Sequence, residues 1–406
     1  MTIMTNPGKP DRRPSFALFP RILLSMAPEK HPRIVKLLQA LFILVVFVAG
    51  YVIGMTATSS SYISQYFGAR SGNLVDSAPP HRRACGCDCH NTDCSSMDSY
   101  LHLRRNLSHG MSDGELLWRA AMVSRSENYP FGRVPRVAFL FLTRGPLPML
   151  LLWERFFQGQ NRDLHSIYVH ALPGHRLNVS SDSSFHGRQI PSQSVEWGTV
   201  ELFDAERRLL GNALLDFFNE RFVLLSESCI PVRNFLTIYT YLTGSNHSFV
   251  ESYDEPTRFG RGRYSRNMLP DIHLRQWRKG SQLFELDRDL ATYIVSDTKY
   301  YSLFRKFCKP ACYPDEHYIP TYLNMFHGWK NSNRSVTWVD WSTSASHPAS
   351  FEKGNVTAYL IRSIRSNGTL CRYNDRKTDI CYLFARKFAP SALGPLLELS
   401  STVMGF

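Results

Sequence analysis

The stretch RVAFLFLT, residues 136–143, is a largely apolar run that ends in a Gly-Pro turn. Two similar runs follow it, SIYVHA at residues 166–171 and FVLLS at residues 222–226. Between the runs, residues 147–159 and 201–220 carry apolar side chains at helical spacing. Buried strands that alternate with helices predict an α/β fold with a mostly parallel central sheet. Such sheets bind ligands at the carboxyl ends of their strands.

Length and composition exclude several classes of protein. The chain has 406 residues, a formal net charge of +13 and 43% hydrophobic residues, which suits one large globular domain or two. The positive charge favours anionic partners, but it is spread along the chain, so we do not expect nucleic acid as a partner. No Walker A string occurs, and no G-x-G-x-x-G string follows the first predicted strand, so these two modes of nucleotide binding are not indicated.

The segment LLQALFILVVFVAGYVIGM, residues 37–55, contains 19 residues, of which Gln39 alone is strongly polar. As a helix it would span roughly 28 Å, close to the hydrocarbon thickness of a bilayer. We therefore predict a single N-terminal transmembrane helix. A cleaved signal peptide stays open as an alternative, because small residues follow Met55.

The charges on either side of this segment predict its orientation. Basic residues that precede it include Arg21, Lys30, Arg33 and Lys36, whereas the first one after it is Arg70. The positive-inside rule therefore predicts a type II signal anchor with the body of the protein across the membrane. The predicted regions are a cytosolic basic tail at residues 1–36, the anchor at 37–55, a lumenal stem with a cysteine cluster at 56–111 and a lumenal domain at 112–406. The first part of the stem, residues 56–80, is rich in Ser, Gly and Pro.

Six N-x-S/T sequons agree with a lumenal body, since N-glycosylation takes place in the secretory pathway. The predicted acceptor asparagines are Asn106, Asn178, Asn246, Asn333, Asn355 and Asn367.

Cysteine usage agrees with the same topology, because all nine cysteines follow the anchor, where disulfides are permitted. Their odd number means that at least one is free or bonded to another chain, as in a disulfide-linked homodimer. The cluster CGCDCHNTDC, residues 85–94, favours a disulfide knot or stem cross-links, with zinc as the open alternative. Cys371 and Cys381 flank a short loop that a disulfide would close. Cys308 and Cys312 are spaced for a local bond or for bonds with others.

Seven blocks occur in order: VAFLFLTRGPLP, SIYVHALP, DAERRLLGNALLD, FVLLSESCIPVRNF, QWRKGSQ, CYPDEHYIPT and CYLFARKFAP. Together they resemble the plant branch of the core-2/I-branching N-acetylglucosaminyltransferase family, glycosyltransferase family 14, over residues 112–406. The resemblance implies a GT-A-type nucleotide-sugar-binding fold and an inverting transfer from a UDP-sugar in the Golgi membrane.

The resemblance also implies that no metal cofactor is required, although most GT-A enzymes hold the diphosphate with Mn²⁺ on a D-x-D motif. The D-x-D string of this chain, residues 287–289, falls at a predicted helix start. The turn after the third predicted strand, where a metal would bind, reads SESC at residues 226–229. We therefore expect no metal site and no cofactor besides the UDP-sugar donor.

The string ACYPDEHYIPT, residues 311–321, places Asp315, Glu316 and His317 side by side. Composition alone leaves a metal site, a proton-transfer site and a solvated turn open. The resemblance implies that Glu316 is the general base that deprotonates the acceptor hydroxyl. We expect Asp315 to cap the helix or orient Glu316, and His317 to pack in the interior.

Basic residues near the C-terminus match those that hold the leaving diphosphate in the family. The lysine matches Lys387 in FARKF, and the arginine matches Arg362 or Arg365 in LIRSIRS. Weaker matches imply that Trp341 stacks on the acceptor and that Ser281 helps to shape the cleft. Arg144, after the first strand, is expected on the uridine side.

These features predict a Golgi enzyme that adds a sugar to a glycan or glycoprotein, with N-acetylglucosamine as the favoured sugar. Plant members of the family also include enzymes that add glucuronosyl groups to arabinogalactan, so the donor sugar stays open. A catalytically silent glycan-binding scaffold on the same fold is the alternative from a different class.

Overall fold

The computed structural model describes residues 44–45, 107–123, 132–309, 312–343, 347–366 and 368–406. Within these ranges no helix is long and apolar enough to cross a membrane. The predicted anchor, apart from the helical residues Leu44 and Val45, and the cysteine cluster at residues 85–94 lie outside the described residues. Residues 1–87 and 88–406 form separate units, and the sheets and the helices around them belong to the second.

In chain order the elements are α1 Asp113–Val123, β1 Arg136–Leu142, α2 Leu150–Phe157, β2 His165–His170, α3 Val200–Leu214, β3 Asn219–Ser226, β4 Ile230–Pro231, α4 Phe235–Thr243, β5 Glu285–Asp287, α5 Arg288–Ser296, α6 Lys299–Phe307, α7 Pro314–Phe326, β6 Thr337–Val339, α8 Ala358–Arg365, β7 Cys371–Tyr373, β8 Arg376–Thr378, β9 Phe384–Arg386 and α9 Leu393–Leu399.

The central sheet has the strand order β2-β1-β3-β5. Strand β1 pairs in parallel with both β2 and β3, and the short edge strand β5 pairs antiparallel with β3. The side chains of β1 and β2 are buried almost throughout, as expected for strands covered on both faces. The α/β fold and the mostly parallel sheet are confirmed, and the architecture is consistent with a GT-A-like fold.

The third predicted strand is longer than its apolar run, and the helix before it is shorter. Helix α3 ends at Leu214, whereas the pattern predicted a helix through residue 220. Asp216 ends the helical segment in a turn, where its carboxylate accepts a hydrogen bond from the backbone N–H of Phe218 at 2.9 Å. Asn219 then begins β3 and is fully buried, and its side chain bonds to Ser166 and Tyr168 of β2, which lies on the far side of β1.

A second sheet was not predicted, since its strands are two or three residues long and too short to show a periodic pattern. Its order is β4-β9-β6, with β9 antiparallel to β4 and parallel to β6. Strand β4 follows the turn after β3. The second sheet therefore brings the C-terminal strand β9 close to the carboxyl end of the central sheet.

Two of the expected disulfides are present, Cys308–Cys312 and Cys371–Cys381. Among the described cysteines Cys229 is free and buried. The local pairing of Cys308 with Cys312 and the closure of the loop between Cys371 and Cys381 are confirmed.

Candidate active site

The chain around Glu316 is held in place before the helix begins. The disulfide between Cys308 and Cys312 ends one residue before Tyr313, which adopts a left-handed conformation with φ 55°. Pro314 then occupies the first turn of α7, where its missing N–H costs nothing and its fixed φ suits a helix. Glu316 therefore lies in the first turn of a helix whose entry is fixed by a covalent bond and a proline.

A second proline connects Glu316 to the neighbouring loop. Pro320 stands four residues after Glu316 and has no N–H, so the usual helical bond to the carbonyl of Glu316 cannot form. The N–H of Gly280 donates to that carbonyl instead, at 2.9 Å. Only glycine fits here, because a Cβ on Gly280 would stand 2.0 Å from the carbonyl oxygen of Glu251. The loop end that carries Lys279 is thereby fixed against the backbone of Glu316.

Two cations hold one oxygen of the Glu316 carboxylate. Arg263 donates to Oε2 at 2.6 Å, and the Nζ atom of Lys279 lies 3.3 Å from the same oxygen. The side chain of Glu316 is 25% exposed, so the carboxylate faces solvent in part. Among the described residues Oε1 has no hydrogen-bond partner. The carboxylate is therefore held from one side and open on the other.

Behind Glu316, two buried carboxyl groups face one another from α3 and α7. Glu206 and Asp315 are almost fully buried, and one oxygen of each has no hydrogen-bond partner in the described chain. The other oxygen of Glu206 accepts a bond from the side-chain amide of Gln282 at 3.0 Å. Burial and Asp315 raise the pKa of Glu206 well above its usual range. Burial and the charge of Glu316 raise the pKa of Asp315 to about 7.

One of our two expectations for Asp315, that its side chain caps α7, is wrong. Tyr313 occupies the cap position, and no side chain accepts a bond there. The carboxyl of Asp315 lies in the interior, next to the helix start that carries Glu316. Its remaining expected role, orienting Glu316, stays a prediction.

Glu206→Gln is expected to stabilise the domain at pH 8 by about 1–3 kcal/mol, the usual range for an unsatisfied buried group. Both carboxyl groups keep their protons to a higher pH in the folded state than in the unfolded state. The two protonated carboxyl groups therefore make their full contribution to the free energy of unfolding at acidic pH. This contribution is lost as the pH rises through the raised pKa values. The side chain of glutamine cannot ionise, and its amide can donate to Asp315.

Thermal unfolding at pH 8 and at pH 5 measures this effect. The gain in Tm should be larger at pH 8, since both carboxyl groups of the wild type are largely protonated at pH 5. Glu398→Gln removes an exposed acid from α9 and is the matched control. A lower Tm for Glu206→Gln at pH 8 would contradict the prediction.

His317 packs in the interior, as we expected. Its ring stacks on Trp277 with a centroid distance of 4.7 Å. Its Nδ1 donates to the carbonyl of Arg278 at 2.7 Å, and burial lowers its pKa to about 4. His317 is therefore neutral near pH 7 and holds the loop beside Glu316.

Lys387 lies at the carboxyl end of the central sheet. It follows β9 directly, and the N–H of the next residue, Phe388, donates to the carbonyl of Ser228 at 3.0 Å. Ser228 belongs to the SESC turn after β3, the turn at which GT-A enzymes are expected to hold the diphosphate. Arg386 is a second cation here, since it interacts electrostatically with Cys229 of the same turn.

Residues 347–351 connect the Lys387 region to the Glu316 region. The N–H of Phe351 donates to the carbonyl of Lys387 at 2.8 Å. Four residues earlier, His347 contacts the ring of Trp197, which in turn contacts Tyr313 at 5.1 Å. The candidate base and the candidate diphosphate lysine are therefore joined by one chain of contacts.

Arg362 and Arg365, the two candidates for the second diphosphate cation, both lie on α8. Arg362 is exposed, whereas Arg365 is partly buried, and this burial lowers its pKa. The carbonyl of Arg365 accepts a bond from Arg233, which stands two residues after β4. No described contact joins either candidate to Lys387, so the choice between them stays open.

The other predicted side chains of the cleft lie on loops. Ser281 follows Gly280 and therefore lies beside the backbone of Glu316. Arg144 is exposed at the carboxyl end of β1, and Trp341 is 57% exposed in the loop after β6. Their roles as cleft, uridine and acceptor residues stay predictions. The four sequon asparagines in the described ranges are all exposed: Asn178, Asn246, Asn333 and Asn355. Asn106 and Asn367 lie outside those ranges.

The D-x-D string has a structural use. Asp287 caps α5 by accepting a bond from the N–H of Leu290 at 2.7 Å, and Asp289 pairs with Lys330. In the described part of the chain no group of three or more His, Cys, Asp or Glu side chains is arranged to hold a metal. The expected independence from metals stays a prediction.

Sequence reasoning missed Arg263, Glu206 and Arg386 as site residues. Arg263 belongs to a run of arginines that is typical of a solvated surface. Glu206 is one polar residue within a helical apolar pattern, which does not indicate a site. Arg386 adjoins the predicted Lys387, and two adjacent cations are the one signal that could have indicated it.

Residues 137–365 match the family model of the Core-2/I-Branching enzymes. The chain is also 36% identical over 310 residues to a protein called Glycosyltransferase BC10 from Oryza sativa subsp. japonica, over 65% of this chain and 76% of that one. These matches and the fold define a glycosyltransferase that uses a nucleotide-sugar donor and a glycan acceptor. The matched region covers more than half of the sequence, and the chain belongs to the core-2/I-branching family, as the resemblance predicted.

Proposed function

We propose that this chain is an inverting, metal-independent enzyme that moves a sugar from a UDP-sugar to a hydroxyl of a glycan or glycoprotein in the Golgi lumen. N-acetylglucosamine is the first candidate for the sugar, and glucuronate is the second. The observation that carries the proposal is the Glu316 carboxylate, with Oε2 held by Arg263 and Lys279 and Oε1 open.

In this mechanism, Glu316 takes the proton of the acceptor hydroxyl as the hydroxyl oxygen attacks the anomeric carbon. The bond from that carbon to the diphosphate oxygen breaks on the opposite face, so the configuration inverts. The ion pairs to Oε2 fix the carboxylate plane and direct Oε1 toward the acceptor. Positioning of this kind supplies a large share of the rate enhancement in group transfer.

The departing UDP takes the bonding electron pair and gains negative charge. Fixed cations at the carboxyl end of the sheet stabilise that charge without reorganising during the reaction. Lys387 is the first of them, because it adjoins the turn after β3. Arg362 or Arg365 is the second. The structural uses of Asp287 and Asp289 support a mechanism in which these cations take the place of a metal.

We also propose the type II topology, with residues 1–36 in the cytosol, an anchor at 37–55, a stem at 56–111 and a lumenal catalytic domain at 112–406. Two disulfides and four exposed sequon asparagines support an oxidising, glycosylating compartment. The stem cysteines at residues 85–94 would link two copies into a dimer.

The full-length protein in detergent is expected to release UDP from one UDP-sugar of a panel. EDTA should leave this activity unchanged. The panel contains UDP-N-acetylglucosamine, UDP-glucuronate, UDP-galactose and UDP-xylose, each with neutral and acidic glycan acceptors. Loss of activity in EDTA, restored by Mn²⁺, would overturn the metal-free mechanism. No turnover of any donor, together with retained glycan binding, would favour the silent scaffold.

A further inference from the structure

Residues 253–279 form a closed loop beside Glu316, here called the cationic loop. Tyr253 and Lys279 exchange two backbone hydrogen bonds of 2.9 Å at its base. Trp277 is buried within it, and its indole N–H donates to the carbonyl of Gly260 at 3.1 Å. Gly260 has no room for a side chain, since a Cβ would lie 2.2 Å from the Cβ of Glu255. The loop is therefore packed around its own tryptophan in one shape.

The cationic loop carries seven cations and three acids. Asp271 pairs with Lys299 of α6, and Arg261 pairs with Asp254. Arg263 and Lys279 pair with Glu316. The exposed cations that form no ion pair with any described residue are Arg258, Arg266 and Arg275. Glu255 is the remaining acid of the loop and forms no ion pair with a described residue, so the loop keeps a net positive charge. Of the three arginines, Arg258 is connected to Arg263, and so to Glu316, through the ring of Phe259.

Aromatic rings alternate with guanidinium groups from Glu316 outward along this surface. The Cζ atom of Arg263 lies 5.8 Å from the ring centre of Phe259, and that of Arg258 lies 4.7 Å from the same ring. On the other side of Arg263, the ring of Tyr313 lies 4.1 Å from its guanidinium. Trp197 continues the row beyond Tyr313, and the rings of Phe259 and Trp197 are about half exposed.

We infer that this row binds an acceptor glycan that carries carboxylate groups, such as uronic acid residues, close to the accepting hydroxyl. The inference rests on the proposed function. Exposed aromatic faces pack against the apolar faces of sugar rings, and a planar guanidinium pairs with a carboxylate through two parallel hydrogen bonds. A neutral glycan would use the rings alone and leave the exposed arginines unpaired.

Kinetics with matched acceptors test the inference. The full-length protein in detergent is given its active donor with a neutral oligosaccharide, or with the same oligosaccharide oxidised at one C6 to a carboxylate. The KM of the acidic acceptor should be about threefold lower, the scale of one exposed charge pair, and the difference should shrink with added salt. In Arg258→Gln the two KM values should converge. The control Arg162→Gln removes one exposed cation elsewhere on the domain and should keep the difference.

Equal KM values in the wild type, or an unchanged difference in the Arg258 variant, would overturn the inference while leaving the proposed function intact. If no donor is turned over, the proposed function fails, and calorimetric binding of the acidic oligosaccharide still tests the row. Loss of binding to phosphatidylserine vesicles in the same variant, without discrimination between glycans, would overturn the inference in favour of a membrane-facing surface.

Discussion

Glu316→Gln is expected to lower kcat by at least about 10²-fold, the usual loss when a general base is removed. The amide keeps the shape of the side chain but cannot take the acceptor proton. UDP affinity should stay within about threefold of the wild type, because base loss acts on the chemical step rather than on donor binding. UDP release gives kcat, and calorimetry gives the affinity for UDP.

The matched control is Glu398→Gln, which removes an exposed acid without touching the cleft and should leave kcat unchanged. A second variant, Glu316→Asp, keeps the charge and withdraws the carboxylate by one methylene, so its activity should fall between those of wild type and Glu316→Gln. Turnover by Glu316→Gln within about tenfold of the wild type would remove Glu316 from the role of base.

Lys387→Met is expected to lower kcat by about 10²–10³-fold, the range seen when one preorganised group that stabilises transition-state charge is lost. Methionine keeps the length and the apolar stem but not the charge. The effect should be larger on kcat than on the affinity for UDP, because the diphosphate gains charge as the glycosidic bond breaks. Lys387→Arg should recover part of the activity.

Lys377→Met, on the exposed strand β8, is the control for loss of a lysine and should leave kcat unchanged. The same assay on Arg362→Met and Arg365→Met identifies the second diphosphate cation as the arginine whose replacement lowers kcat more. If Lys387→Met retains kcat within a factor of about three, another cation stabilises the leaving group, and Arg386 is the nearest in sequence.

The sequence predicted those parts of the fold that depend on local patterns. Strands β1, β2 and β3 are apolar runs long enough to identify, and the helices between them show helical spacing. Strands β4, β6 and β9 are stabilised by pairing with segments far away in the chain, so no local pattern indicates them. The same limit applies to Arg263 and Glu206, which lie far from α7 in the sequence and come close to it only in the folded chain.

Glu316 was predicted from a resemblance rather than from physical chemistry. Composition did not indicate which of three adjacent titratable groups acts as the base, whereas their burial in the structure distinguishes them. Glu316 reaches solvent, Asp315 is buried without a full set of partners, and His317 stacks on Trp277. Burial depends on contacts in the folded chain, so it cannot be predicted for a single polar residue from the sequence pattern around it.

The bond from Gly280 to the carbonyl of Glu316 has a consequence for natural variation within the family. Pro320 frees that carbonyl, and Gly280 is the residue that can approach it. A relative that replaces the proline restores the helical N–H, but a Cβ at the glycine position would still lie 2.0 Å from the carbonyl oxygen of Glu251. The glycine should therefore be kept among homologues whether or not they have the proline, which lies 40 residues further along the chain.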